Sequence, residues 1–262
     1  MHYTTVTTQG SNAPTGSVTL NHGKAVLCTV PLVNGEANGN TAFTISGNQS
    51  IWAQYSGDAN NRGSTSHVFK QVVNQYSSIT SLNASPSPST FGQSLLLVAT
   101  VTSASSSEPT GTVTFKAGSI TLGNGVLSNG MGSMTTTTLS VGTHQLTALY
   151  GGDIDSGKST SSPIAQSVLQ AVTTTAVMSS LNPSKQGQTV KFTASVISPT
   201  VVPTGTVTFM AGSLHLGTVK LTNGKARVAS SKLPSGQTTV SAIYNGTVNI
   251  NGSTWSMIQT VN

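Results

Sequence analysis

Reactive side chains are few along this chain of 262 residues: five acids, five histidines and one cysteine. Glu36, Asp58, Glu108, Asp153 and Asp155 show no paired-carboxylate spacing of the kind that general acid–base hydrolysis requires, and no nucleophile comes with a base. His2, His22, His67, His144 and His215 never fall at the short spacings by which one strand or helix offers two imidazoles to a metal. The sequence therefore predicts no catalytic residues and no cofactor. One acidic group could do something else. Asp153-Ile154-Asp155 follows Gly151-Gly152, so Asp153 and Asp155 are candidate oxygen ligands for calcium. The alternative is an aspartate capping its own turn. Asp58 is followed by Ala59-Asn60 and the third counterpart is Thr247, so the acidic pattern does not recur.

Recognition chemistry is also sparse. The net charge of +6 comes from a shortage of acids, and the bases are scattered without interleaved aromatics, which argues against a nucleic-acid partner. No apolar run is long enough to insert in a membrane, and Met1-His2-Tyr3-Thr4-Thr5-Val6 has neither a basic nor an apolar leader segment. Cys28 has no partner for an intrachain disulfide, and its counterparts are Gly123 and Gly217; it reads as an incidental substitution. The sequons at Asn48, Asn83, Asn245 and Asn251 are what chance provides in a chain rich in Asn, Ser and Thr. The tryptophans say more. Trp52 stands where the other copies of the local pattern have Thr147 and Ser241, and Trp255 stands where they have Ser66 and Ser161. Both are expected to face outward, either as solitary rim aromatics or, with Tyr55 and loop residues, as a contact surface for a glycan or a surface protein.

These residues must be held by elements, and the elements repeat. Pro109-Thr110-Gly111-Thr112-Val113-Thr114-Phe115 recurs from Pro14 and from Pro203, at steps of 95 and 94 residues. After a Pro and Gly turn, alternating Thr-Val-Thr-Phe puts one strand face on a core and the other in water. Only 6% of residues are charged, and β-branched residues alternate with hydroxyls, a sheet composition with little helix. In the middle copy, strands are expected at 79–83, 94–102, 112–116, 120–123 leading to 125–128, 131–139, 144–150 and 159–169, with an Asn129-Gly130 hairpin turn. Turn signals every 8–12 residues around about seven strands give an all-β chain of tandem immunoglobulin-like β-sandwiches, arranged as a rod. Repeats are expected at 1–75, 76–170 and 171–262, with almost no linker at Asn74 to Ser78 or Leu169 to Thr173. Val113, Phe115, Leu146, Ala148 and Tyr150 should form the middle core, and Val207, Phe209, Val240, Ala242 and Tyr244 the third.

Taken together, Pro-Thr-Gly-Thr-Val-Thr-Phe, Leu-Gly, Asn-Gly, Leu-x-x-Gly, x-Ala-x-Tyr-Gly-Gly-Asp, Ser-Thr-Ser and Gln-x-Val resemble the bacterial Ig-like repeats of the group 3 type over essentially the whole chain. That resemblance implies tandem seven-stranded sandwiches in a secreted or cell-surface protein, with a stalk, adhesin or filament role and no catalytic residues.

The first repeat is short. His2 to Thr8 aligns with Leu96 to Thr102, so the counterpart of the strand starting at Ile79 is missing and His2, Tyr3 and Val6 lie on an open edge. Either the natural chain continues upstream, or the first repeat is completed by another subunit. No spare strand follows Asn262, which favours simple end-to-end self-association, with Trp52 and Trp255 at the joint, over strand donation.

Overall fold

The computed structural model describes residues 2–8 and 12–262, except for the side chains of His2 and Tyr3. All regular structure among these residues is β. The first repeat holds β1 (His2–Thr5), β2 (Ser17–His22), β3 (Ala25–Pro31), β4 (Glu36–Gly39), β5 (Gly47–Tyr55), β6 (Ser64–Thr65) and β7 (Phe69–Val73). The middle repeat holds β8 (Ser78–Ser85), β9 (Ser89–Thr90), β10 (Leu95–Ser103), β11 (Thr112–Ala117), β12 (Ile120–Val126), β13 (Met131–Thr136), β14 (Gly142–Tyr150), β15 (Ser159–Thr160) and β16 (Ile164–Leu169). The third holds β17 (Thr174–Ser179), β18 (Val190–Ile197), β19 (Thr206–Ala211), β20 (Leu214–Lys220), β21 (Lys225–Ser230), β22 (Gly236–Tyr244) and β23 (Ser253–Val261).

Each repeat packs two sheets face to face. The third is the plainest: β17-β18-β21 lies against β20-β19-β22-β23. In the middle repeat β8-β10-β13 lies against β12-β11-β14-β16, with β9 added in parallel at the edge. Strand alternation fills the space between them. Val113 and Phe115 are fully buried, as are Leu146, Ala148 and Tyr150, and the third repeat repeats this with Val207, Phe209, Val240, Ala242 and Tyr244. The Asn-Gly turns are confirmed as well: Asn34, Asn129 and Asn223 take positive φ, each followed by a glycine that does the same. In the first repeat only β1 and β4 face β3-β2-β5, and the core shrinks to Val18, Leu20, Ala37, Ala53 and Tyr55. Among the described residues it has no counterpart of β8 or β17.

Four local expectations change. The Val6 N–H bonds Gly35 O just as Val101 N–H bonds Gly130 O (both 2.8 Å), so β1 aligns with Leu97 onward and not with Leu96. The turn fixes the end of the strand pair, and Val6 then takes the place of Val101 and Val196. Of the segment 120–128, expected as two steps, residues 120–126 form one strand, β12; a bulge at Phe115/Lys116 in its partner absorbs the irregularity. The last strand of the middle repeat, expected unbroken over 159–169, splits around Pro163, which has no N–H to give the ladder. At that break the Ser161 hydroxyl accepts from Ala148 N–H (3.0 Å) and Ser161 is buried, so it is not the outward residue expected. In the third repeat Trp255 replaces it and the ladder runs continuously as β23.

The chain forms two compact units. The first contains the described residues up to Ser78 together with 102–110 and 151–159; the second contains 79–101, 111–150 and 160–262.

Candidate functional site

The calcium candidates sit in a turn of the first unit. Asp153 Oδ1 accepts from the N–H groups of Asp155 (2.9 Å) and Ser156 (2.7 Å), while Oδ2 accepts from Thr110 N–H (2.8 Å) and its hydroxyl (3.0 Å). Burial by itself would raise this carboxyl, but the N–H donors of Thr110, Ser156 and Asp155 outweigh it and bring the pKa down to about 2. Asp58 does the same in the first repeat, lowered by Thr15 and Asn60 N–H groups and tied also to Asn61 and the Tyr55 hydroxyl. Asp153 thus links its own turn to the Pro-Thr-Gly motif. Among the described residues no group of three or more His, Cys, Asp or Glu is placed to hold a metal ion.

The aromatic candidates separate. Trp255 is 56% exposed on β23. Trp52 is half-buried, and Tyr55, expected as a contact residue, is buried with its hydroxyl on Thr15 O (2.7 Å), so it contributes to the core and not to a surface. Val6 is half-buried; the side chains of His2 and Tyr3 lie outside the described residues.

Two features that the sequence reading missed are better formed. The first is the connection between repeats. In the first unit Tyr76 N–H donates to Asp155 O (2.8 Å) and Gly157 N–H returns a bond to Tyr76 O (2.8 Å). Gln75 Nε2 donates to Asp153 O, and the Ser78 hydroxyl donates to Gly157 O (2.6 Å). In the second unit the same four contacts recur: Ala171 N–H to Asn249 O, Asn251 N–H to Ala171 O, Gln170 Nε2 to Thr247 O, with a further bond to Val248 O, and the Thr173 hydroxyl to Asn251 O. The second unit adds Phe91, packed against both the middle and the third core, with its carbonyl taking the Thr200 hydroxyl (2.7 Å). The only trace of this in the sequence is Gln-x-x-Ser/Thr at 75 and 170, one repeat length apart.

The second feature is a groove in the first repeat of about 440 Å³, lined by Thr4, Ile51, Trp52, Ser66, Phe69 and Gln71 among others. A smaller hollow of about 190 Å³ continues it past Thr5 and Val6. Phe69, at the position of the half-buried Ile164 and Met257, is 60% exposed here.

The family model of the bacterial Ig-like domain (group 3) matches residues 2–74, 82–169 and 175–262. No curated protein matches the chain in sequence. Similar solved structures include the Yersinia pseudotuberculosis adhesin InvE (19% identity, TM-score 0.38, covering 70% of this chain and 58% of that one). The Escherichia coli adhesin FdeC is similar at 15% identity and TM-score 0.32, covering 87% of this chain and 76% of that one. The fibronectin(III)-like modules of Clostridium thermocellum CbhA are similar at 16% identity and TM-score 0.27, covering 69% and 94%. At these scores the likenesses say nothing about what this chain binds.

Proposed function

The chain belongs to the bacterial Ig-like domains of group 3, and from that premise we propose a non-catalytic, extracellular structural role: a stalk or filament segment built of serially joined sandwiches. The observation that carries this reading is the fourfold hydrogen-bond pattern that fastens each linker to a loop of the repeat that follows it, present around Tyr76 and again around Ala171. A flexible tether would leave those backbone groups to water. Here force entering one sandwich passes through short, bonded linkers into the next closed core, and stability sums over repeats and their junctions. The partners of such a segment are further repeats of the same kind, or copies joined end to end. Small-angle scattering of the full chain should give an elongated particle, on the order of 100 Å for three sandwiches in series at roughly 3.3 Å per strand residue. A compact profile would sink the stalk reading.

An adhesin-type module is the second reading, favoured by one observation: Trp255 is 56% exposed on a strand face. Saturable binding to a glycan or surface-protein panel, lost in Trp255→Ser, would support it; no binding across the panel would remove it.

A further inference from the structure

Along the chain the bases are scattered; repeat by repeat they are not. The five bases and five acids before residue 171 cancel, so the whole net charge of +6 belongs to the third repeat. Between 171 and 262 the chain carries Lys185, Lys191, Lys220, Lys225, Arg227 and Lys232, and no Asp or Glu to offset them. All six bases are exposed.

The ladder of the β17-β18-β21 sheet puts three of them on one face. Phe192, Ala194 and Val196 point into the core, so Lys191, Thr193 and Ser195 point out of it, opposite Ala229, Arg227 and Lys225. Lys225 and Arg227 are one alternation apart on β21, about 7 Å at roughly 3.3 Å per residue, and Lys191 continues the row on the next strand at the level of Ala229. The row extends past both strand ends. Lys185 and Lys232 lie in the loops at the end where Val190 pairs with Ser230, and Lys220 closes β20 just before the turn that leads to Lys225. Beside the row come hydroxyls and then apolar side chains. Arg227, Thr193 and Met178 form one cross-strand line, Lys225, Ser195 and Ala176 the next, and Met178 is 72% exposed.

The fold does not require these bases. The same face of the middle repeat has Leu96, Met131 and Ser133 where the third has Lys191, Lys225 and Arg227, and the first repeat has Glu36 in the place of Lys225. β21 is the edge of its sheet, and lysine on an edge deters pairing with other chains. Yet β13 is the same edge in the middle repeat and carries no charge. Six like charges with no acid among them repel one another, and an anion laid over them relieves that repulsion.

We propose that this face of the third repeat is a binding site for an acidic polysaccharide. Carboxylates or sulfates of the sugar chain pair with Lys191, Arg227 and Lys225, ring hydroxyls meet Thr193 and Ser195, and a ring face lies against Met178. No Phe, Tyr or Trp stands among the outward residues of the three strands. The unstacked bases of a nucleic acid therefore find no platform, and an anionic bilayer finds no aromatic anchor. The site uses neither Trp255 nor the linkers, so its failure leaves both readings of the proposed function intact.

The probes are a fluorescently labelled heparin decasaccharide, an oligogalacturonate of equal length and a neutral dextran of equal length, each titrated with the full chain and followed by anisotropy. Saturable binding is expected for an acidic chain, weakening at least tenfold from about 50 mM to about 300 mM salt, and none for dextran. Binding of heparin alone specifies sulfate and binding of oligogalacturonate specifies carboxylate; either supports the site. The variant Lys191→Gln, Lys225→Gln, Arg227→Gln should bind at least tenfold more weakly, and Arg227→Gln alone about threefold. The variant Lys24→Gln, Arg62→Gln, Lys70→Gln has the same net charge with the row intact and should stay within twofold of the parent. All six substituted positions are exposed, so circular dichroism should show both triple variants melting like the parent. Equal loss in the two triple variants would reduce the effect to net charge and overturn the site. So would dextran binding as tightly as heparin, or no saturation by either acidic chain. Tighter binding to single-stranded DNA of matched charge, or to vesicles of phosphatidylglycerol and phosphatidylcholine, would assign the face to a nucleic acid or a membrane and likewise overturn it.

Discussion

At the scale of single residues, the lone cysteine has a packing reason. Cys28 takes the place of Gly123 and Gly217, while Gly39, across the sandwich, takes the place of Met134 and Val228. A Cβ on Gly123 would lie 2.9 Å from Met134 Cε, and one on Gly39 would lie 2.7 Å from Cys28 Sγ. The same space is filled from opposite sheets, so Cys28 is a compensated exchange, not the incidental substitution that the sequence suggests. Gly39→Met alone should overpack the first core and cost about 1–3 kcal/mol. With Cys28→Gly added, most of that loss should return as coupling between neighbours, read as a recovery in Tm. Asp153 gives a second expectation. Its folded pKa of about 2 lies below the ordinary 3.8, so its stabilisation is complete above the higher value and fades as pH falls toward the lower. Melting curves followed by circular dichroism from pH 5 to pH 2 should fall less steeply for Asp153→Asn than for the parent.

At the scale of elements, one glutamine on the last strand decides how well the first strand is held. Gln166 lies in β16, and with Nε2 on three acceptors it ties β16 to the turn between β8 and β9. Truncating it strands buried acceptors, a cost of about 1–3 kcal/mol. Gln166→Ala should therefore lower denaturant stability by about that much, whereas Gln71→Ala, at the matching ladder position but half-exposed in the groove, should change it little. Equal losses in the two variants would show that this tie does not depend on the strand it holds. Trp255 belongs to the same scale: from Ser253 to Gln259 the third repeat has one residue fewer than from Ser159 to Gln166 or from Ser64 to Gln71, so no residue is left over to break the ladder and β23 runs for nine residues.

At the scale of the molecule, the second unit offers a direct test of coupling between repeats. Gly92 has a φ of +80°, and a Cβ there would fall 2.8 Å from Thr200 O and closer still to Val201. Its counterpart in the third repeat, Gly187, has a φ of +78° but nothing within 4 Å. Valine at either position meets the same left-handed backbone strain, of order 1–3 kcal/mol; only Gly92→Val also drives a side chain into the neighbouring repeat. Calorimetry should show Gly187→Val lowering Tm within a single transition for the second unit, and Gly92→Val splitting that transition in two. If both variants behave alike, the contact at Thr200 and Val201 contributes nothing to cooperativity.

The sequence by itself determined the three repeats, the alternation that buries Phe115 and Phe209, and the turns. These rest on local rules: a period of two along a strand, and Asn-Gly where φ must be positive. The sequence could not show that Asp153 reaches Thr110, that Gln75 and Gln170 fasten the linkers, or that Cys28 trades volume with Gly39, since each pairing joins residues from different strands or loops. Nor could it show the groove. Gln71, Phe69 and Thr4 look ordinary in order along the chain, and only stacking β1 over β5 and β7 reveals them as the walls of a place that β8 and β17 fill elsewhere. Tertiary structure decided these points because long-range packing brings together groups whose separation along the chain carries no signal of contact.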